Sequence, residues 1–420
     1  MMPVVRELIR RPEHFTSRIC VTAQHRQMLD QVLDLFHIVP HYDLDIMRPG
    51  QSLNGVTAAV LQGLHPILEA ERPDWVLMQG DTTTAMATSL AAFQAGLRIG
   101  HVEAGLRTYD KYRPFPEEMN RRITSTLADL HFAPTKWAAD NLRREGVSAE
   151  HIAVTGNTVI DALQRVAAMP FDPTGTPLAG LPFRSKRLIT VTAHRRENFG
   201  RGMEEICAGL RTVAERHGDV HIVWPVHPNP HVREPAYRYL GDVPNVTLLP
   251  PLDYHPLVWL LTQSYFVITD SGGLQEEAPG LGKPVLVLRE TTERPEGVAA
   301  GTVRLVGTDR EQLAIWTTRL LDDEHTYSDM ARAVNPYGTG DAAVHIADAL
   351  CHWRDNAGRG LNLLNHSVPS LPPQREAVLA GQGLDIVAGG SERVTTADSI
   401  ATKEYGHETS DGRAGEEELK

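Results

Sequence analysis

Short apolar runs alternate with segments in which apolar residues recur every three or four positions, from the start of the chain to about residue 354. This alternation predicts strands separated by amphipathic helices, the pattern of a parallel α/β sheet. In the first part, strands are expected at Arg18–Ala23, Asp74–Gln79, Arg98–Glu103, Leu130–Ala133 and His151–Thr155. Helices are expected at Val4–Arg11, Gln27–Phe36, Ser52–Leu68, Thr83–Ala95, Pro116–Ala128 and Lys136–Arg144. Residues 169–186 hold four prolines and two glycines without a period and read as a linker. A second series follows, with strands at Arg187–Ala193, His221–Val226, Val246–Leu249, Tyr265–Thr269, Pro284–Leu288 and Val303–Val306. The expected organisation is two Rossmann-like domains, 1–168 and 187–354, whose parallel sheets face a central cleft. From 355 to 420 the chain turns to Gly, Ser, Thr, Glu and Asp with an acidic end, which reads as a disordered tail.

Composition narrows the function. The 420 residues suit two cores rather than one, and 41% hydrophobic with 22% charged residues is ordinary for a soluble globular protein. A net charge of −12 argues against nucleic acid as a partner, because backbone binding needs a basic surface. No apolar run reaches the ~18 residues of a membrane span, and the amino terminus lacks the apolar stretch of a signal peptide. The three cysteines, Cys20, Cys207 and Cys351, are far apart and read as small buried apolar residues in a reducing compartment. The cytoplasm is the expected location. No zinc or iron site is read from the histidine and aspartate spacing.

The segment with the most chemical content runs from Thr269 to Arg294. A strand leads into Ser271-Gly272-Gly273 and a helix starts at once, which places backbone N–H groups where a phosphate can sit. Glu277 lies within that helix, where a carboxylate can reach a sugar hydroxyl. Arg294 follows the next strand on the same carboxyl edge, where open α/β sheets bind ligands. A tight strand–helix turn with a glycine required for positive φ is the plainer reading of the Gly-Gly pair. Elsewhere Asp81 and Glu103 end apolar strands, and Glu117 opens a helix. Asp81 also reads as a helix cap and Glu117 as a dipole partner. His194-Arg195-Arg196 follows the first strand of the second series and suits a diphosphate, with the histidine as proton carrier. Together these make a metal-free acid–base set.

Six ordered blocks carry a family resemblance: Gln79-Gly-Asp-Thr-Thr-Thr84, His101-Val-Glu-Ala-Gly-Leu-Arg-Thr108, Pro116-Glu-Glu-Met-Asn-Arg121, Thr155-Gly-Asn-Thr-Val-Ile-Asp161, His194-Arg-Arg-Glu-Asn198, and Asp270-Ser-Gly-Gly-Leu-Gln-Glu-Glu277 with Thr291-Thr-Glu-Arg-Pro-Glu296. Over residues 1 to about 352 the chain resembles the non-hydrolysing bacterial UDP-N-acetylglucosamine 2-epimerases. The resemblance implies a GT-B fold, a homodimer, no metal or nicotinamide cofactor, and interconversion of UDP-GlcNAc and UDP-ManNAc for surface polysaccharides. The implied route eliminates UDP across C1–C2 and adds it back after protonation on the other face. Asp81, Glu103, Glu117 and His194 match the family's catalytic positions. Ser271, Gly272, Gly273, Glu277 and Arg294 match its UDP-binding positions. Gln24 and Gln27 match positions that bind a second, activating UDP-GlcNAc in some members.

One departure stands out. The family opens with a strand and a Gly-Thr-Arg-Pro-Glu loop, then a lysine, and these are missing ahead of Met1-Met2-Pro3. The first strand of the N-terminal domain is therefore expected to be missing, through a start set at an internal Met or a truncated copy. A UDP-sugar-binding pseudoenzyme and a GT-B glycosyltransferase are the competing readings.

Overall fold

The structure is a computed structural model and describes residues 1–23, 26–48 and 50–360, with backbone alone at 27, 28 and 354–360. Residues 1 to 359 form one compact unit. The strands are β1 (Cys20–Val21), β2 (Tyr42–Asp43), β3 (Trp75–Gln79), β4 (Arg98–Val102), β5 (Leu130–Ala133), β6 (Ile152–Val154), β7 (Arg187–Thr192), β8 (Val220–Pro225), β9 (Val246–Leu249), β10 (Ser264–Thr269), β11 (Val285–Val287) and β12 (Val303–Leu305). The helices before β7 are α1 (Met2–Ile9), α2 (Arg26–Phe36), α3 (Leu53–Glu71), α4 (Thr83–Gln94), α5 (Glu117–Leu127), α6 (Lys136–Arg144) and α7 (Thr158–Ala167). After it come α8 (Arg201–Arg216), α9 (Pro230–Leu240), α10 (Tyr254–Gln263), α11 (Leu274–Gly280), α12 (Pro295–Ala300), α13 (Arg310–Asp322), α14 (Glu324–Arg332) and α15 (Ala342–Gly360).

The second series forms one parallel sheet, in the order β12-β11-β10-β7-β8-β9. Its central strands read as continuous apolar runs because helices cover both faces. Ile189, Val191, Ile222, Trp224, Phe266 and Ile268 are all fully buried. On α8 the buried residues Met203, Ile206, Cys207, Leu210, Val213 and Ala214 recur at helical spacing and make the stripe that meets this sheet. The chain runs outward from β7 through β8 to β9, then returns to the other side of β7 for β10. That reversal makes the carboxyl ends of β7 and β10 a topological switch point, the place where open α/β sheets leave a ligand crevice. Thr192 and Thr269 are register partners there, and their hydroxyls meet at 2.6 Å.

The first series is divided. Strands β3-β4-β5-β6 form one parallel sheet, while β1 pairs only with β2. Among the described residues no strand joins β1 to β3. Helix α1 packs toward both groups: Val4 and Leu8 meet Val102, Leu130 and Phe132, while Met2 and Val5 meet the cluster of Ile19, Val21 and Phe36. Helix α15 crosses back from the second series to cover the first, burying Ile346 and Leu350 in that same core. Its first turn is capped by Asp161 of α7, whose carboxylate accepts from Ala342 N and Ala343 N at 3.2 and 2.8 Å.

Several expectations change. Residues 169–186 contain no helix or strand but bury Leu178 and Leu181 against Leu188, Val223 and Leu260, so the segment is packed down. The boundary expected at 355 falls inside α15, and residues 361–420 lie outside the described ones. Only Cys207 is buried, whereas Cys20 and Cys351 are half-buried. No helix among the described residues is long and apolar enough to cross a membrane.

Two core histidines set an acid limit. His101 on β4 and His131 on β5 are register partners, both buried, and the Nδ1 of each lacks a hydrogen-bond partner. Burial pushes their pKa down to about 4 and about 3. The folded state therefore stays unprotonated while the unfolded chain takes up protons below its ordinary value of ~6.5, so stability falls as pH drops from there. At pH 5 each histidine is expected to cost about 2 kcal/mol relative to pH 7.5. Urea midpoints at the two pH values check this, and His131→Phe should remove its share of the difference.

Candidate active site

The site is built first from the β7 and β10 ends. After Thr192 the chain continues as Ala193-His194, and after Thr269 as Asp270-Ser271-Gly272-Gly273. His194 and Ser271 line one cavity of about 260 Å³, together with Thr192, His227, Tyr254 and Glu277. His227 stacks on His194 with ring centroids 5.8 Å apart. Burial lowers the His194 pKa, opposed by the Asp270 carboxylate and reinforced by Arg195 and His227.

The Ser271-Gly272-Gly273 loop leads into α11, with Gly273 as its first flanking residue at φ −63°. Gly272 is not among the positive-φ glycines, so backbone freedom is not what requires it. Space is. A Cβ at Gly272 would lie 2.6 Å from Arg294 Nη1 and 3.1 Å from Glu293 Oε1, so only glycine lets the guanidinium rest on this loop. The Ser271 N–H donates to Thr269 Oγ1 at 2.9 Å, and those of Gly272 and Gly273 have no partner among the described residues. Glu277 is buried and accepts from Tyr254 Oη at 2.9 Å. Burial raises its pKa above the usual carboxylate range, against the pull of that hydrogen bond.

Arg294 is held from two sides. Its Nε donates to Glu276 Oε1 at 2.5 Å and its Nη1 to Glu293 Oε1 at 2.9 Å. Glu276 also accepts from Asn157 Nδ2 at 2.6 Å, across from α7. Burial lifts the Glu276 pKa to about 7, with Arg294 pulling it down and Glu103 pushing it up.

Glu103 comes from the other sheet. It follows β4 at φ +64°, an unfavourable conformation for a side chain of its kind, and so a strained one. Gln79 Nε2 donates to its Oε2 at 3.1 Å. Its charge acts on both Glu276 and Arg294, which ties the carboxyl ends of the two sheets into one electrostatic group. Asp81 follows β3 and pairs with Arg121 of α5 at 2.5 Å. It does not cap α4: Thr82 does, accepting from Ala85 N at 3.1 Å. Glu117 begins α5, and its Oε2 is buried without a hydrogen-bond partner. The next residue, Glu118, has a structural task, accepting from Thr108 N and Tyr109 N at 3.0 and 3.2 Å.

The sequence profile of the UDP-N-acetylglucosamine 2-epimerase family matches residues 7–351 of the chain. The chain belongs to this family. A UDP-N-acetylglucosamine 2-epimerase of Escherichia coli K12 is 56% identical over 355 residues, covering 83% of this chain and 94% of that protein. One of Bacillus subtilis is 50% identical, covering 83% and 91%. The crystal structure of the Neisseria meningitidis UDP-GlcNAc 2-epimerase bound to UDP-GlcNAc matches with a TM-score of 0.76 and 47% identity, covering 84% of this chain and 96% of that one. The fold is accordingly GT-B-like, as the family resemblance of the sequence implies.

Within this epimerase fold the expected residues fall into two groups. His194, Ser271 and Glu277 share the cavity, with Gly272, Gly273 and Arg294 adjoining it. Glu103 meets that group electrostatically, whereas Asp81 and Glu117 are gathered around α5. Gln24 lies outside the described residues, and Gln27 falls on α2 with its side chain outside them. Sequence reading misses Tyr254, Glu276, Arg121, Asn157 and Asp270 as site residues. Four of them sit in the quoted blocks, but nothing local marks which side chains meet across the fold. It also passes over the His227-Pro-Asn-Pro-His231 spacing. His227 Nδ1 accepts from Asn229 N and His231 stacks on Phe199, and no group of three or more His, Cys, Asp or Glu among the described residues is placed to hold a metal.

Proposed function

We propose that the chain interconverts UDP-GlcNAc and UDP-ManNAc by eliminating UDP across C1–C2 and adding it back. The family match over residues 7–351 carries this reading. The surrounding chemistry supports it. One carboxylate takes the C2 proton, the C2–H electron pair becomes the C1=C2 double bond, and the C1–O pair leaves with UDP. A second carboxylate then delivers a proton to the opposite face of C2 before UDP returns to C1. Asp81, Glu103 and Glu117 are the acid–base candidates, and the buried, unpartnered Glu117 Oε2 is suited to a proton or a sugar hydroxyl. His194 and Arg294 offset the charge of the departing diphosphate. Glu277 and the Ser271 loop hold the nucleoside part.

The same reading includes a linker at 169–186 between two Rossmann-like domains, a cytoplasmic enzyme, a product used for surface polysaccharide, and a homodimer. Exposed Tyr112, Phe115, Met119 and Ile123 on α5 and the loop before it give such a dimer an apolar face.

In D₂O, UDP-ManNAc formed from UDP-GlcNAc is expected to carry deuterium at C2, with neither metal nor acceptor added. Mass spectrometry and proton NMR of the product check this. Product that keeps all its C2 hydrogen would exclude the elimination route. UDP release only on adding an acceptor would instead select the glycosyltransferase.

A further inference from the structure

We infer that Asp270 is a positioning residue that fixes the tautomer and orientation of His194, so that Nε2 faces the departing diphosphate. This assignment rests on the epimerase reading above. It begins with the register of β7 and β10, which end side by side at Thr192 and Thr269. The next residue on β10's strand is Asp270, fully buried, its N–H donating to Thr192 O at 3.2 Å. One carboxylate oxygen, Oδ2, gathers the neighbouring loop: His194 N and Arg195 N donate to it at 2.8 Å, and Asn198 Nδ2 at 3.0 Å. The other oxygen, Oδ1, has no hydrogen-bond partner and lies 3.3 Å from His194 Nδ1.

A buried carboxylate oxygen without a donor is costly, and the donor within reach is an imidazole N–H. Nδ1 therefore carries hydrogen, and Nε2 is the nitrogen left for the cleft, into which the half-open side chain extends. Tyr254 and Glu277 line the same cavity, and the charged and titratable groups that act on His194 are Asp270, Arg195 and His227. Of these, only Asp270 favours the imidazolium, working against burial. When the C1–O bond breaks and UDP takes the electron pair, an imidazolium is what offsets the new charge. Removing the Asp270 charge makes that form harder to hold.

The assignment separates from a purely structural role because asparagine can keep the anchor and lose the charge. Its amide oxygen can accept the three loop donors while its NH₂ faces His194, which forces Nδ1 to become an acceptor and moves the hydrogen to Nε2. Asp270→Asn is therefore expected to lower kcat by about 10²-fold with KM within about threefold. The high-pH limb of its kcat profile should move to lower pH. Nitrogen-15 NMR of histidine-labelled protein is expected to show His194 with hydrogen on Nδ1 in the natural chain and on Nε2 in Asp270→Asn. Asp270→Ala, which also frees the loop, should lose melting temperature as well as activity. An unchanged tautomer in Asp270→Asn, or lost turnover with an unmoved pH limb, would overturn the assignment. The NMR result does not need turnover. A tautomer switch in a chain that fails to epimerise would leave the Asp270–His194 pairing standing and sink the epimerase reading instead.

Discussion

Replacing Glu103 by glutamine is expected to lower kcat for epimerisation by about 10³-fold, with the UDP dissociation constant changed less than threefold. The substitution removes a charge and a proton-transfer group while keeping the shape of the side chain. Glutamine can still accept from Gln79 Nε2 through its amide oxygen, and it meets the same backbone strain at φ +64°. The groups that line the cavity at the ends of β7 and β10, His194, Ser271 and Glu277, follow the other sheet and keep their contacts. Loss of the Glu103 charge should also lower the Glu276 pKa, because Glu103 is among the groups that raise it. Steady-state rates and calorimetry with UDP check the two halves of this expectation. Retained turnover, or lost UDP binding with intact turnover, would reassign Glu103.

Arg294→Ala is expected to do the reverse, weakening UDP binding by about 10- to 100-fold through loss of a charge-assisted contact. It should also destabilise the fold. The guanidinium compensates two carboxylates, Glu276 and Glu293, and Glu276 is almost completely buried. Removing one partner of a buried ion pair costs about 3–5 kcal/mol. Part of that cost is relieved by protonation, since Glu276 already sits near pH 7 and loses the cation that lowers its pKa. The variant should therefore recover stability as pH falls from 8 to 6, opposite to the histidine-driven trend of the natural chain in acid. Thermal melts across that range, with UDP titrations alongside, test both claims. Arg294→Lys should keep some binding while losing the two-sided clamp.

How far the sequence was legible depends on the range of the contacts involved. Leu130–Ala133 and Val246–Leu249 fold as strands with the predicted bounds, and Trp75–Gln79 within one residue, because each is a compact apolar run between turn signals. Strand β2 was not visible, since Tyr42–Asp43 is two residues long and half polar. Helix α9 was hidden by Pro230 and Pro235, which read as breakers, although the first occupies a helix start where no N–H is needed. The Ser271 loop, Glu277 and Arg294 could be read from one stretch of chain. The tasks of Glu276, Asn157 and Asp270 could not, because their partners lie 119 residues away across Asn157–Glu276 and 76 away across His194–Asp270. In the Gly-Gly pair only Gly272 is required, by a side chain 22 positions further on, Arg294, and not by its own backbone angles, whereas Gly273 has room for a Cβ.

The division of the first series into two sheets means that cooperativity does not spread evenly through the molecule. Between β1–β2 and β3–β6 the coupling runs through side chains such as those of α1, and no backbone ladder crosses it among the described residues. The β1–α2–β2 segment can therefore open by breaking a short ladder of two register pairs, in a sub-global fluctuation well below complete unfolding. In the second series β7 is bonded on both sides, to β8 and β10, and cannot open alone. His194 and Asp270 leave from strands bonded on both sides, whereas the β1–α2–β2 segment reaches the His194 cavity only through side chains, Ile19, Val21 and Phe36 packing in one cluster with Tyr254.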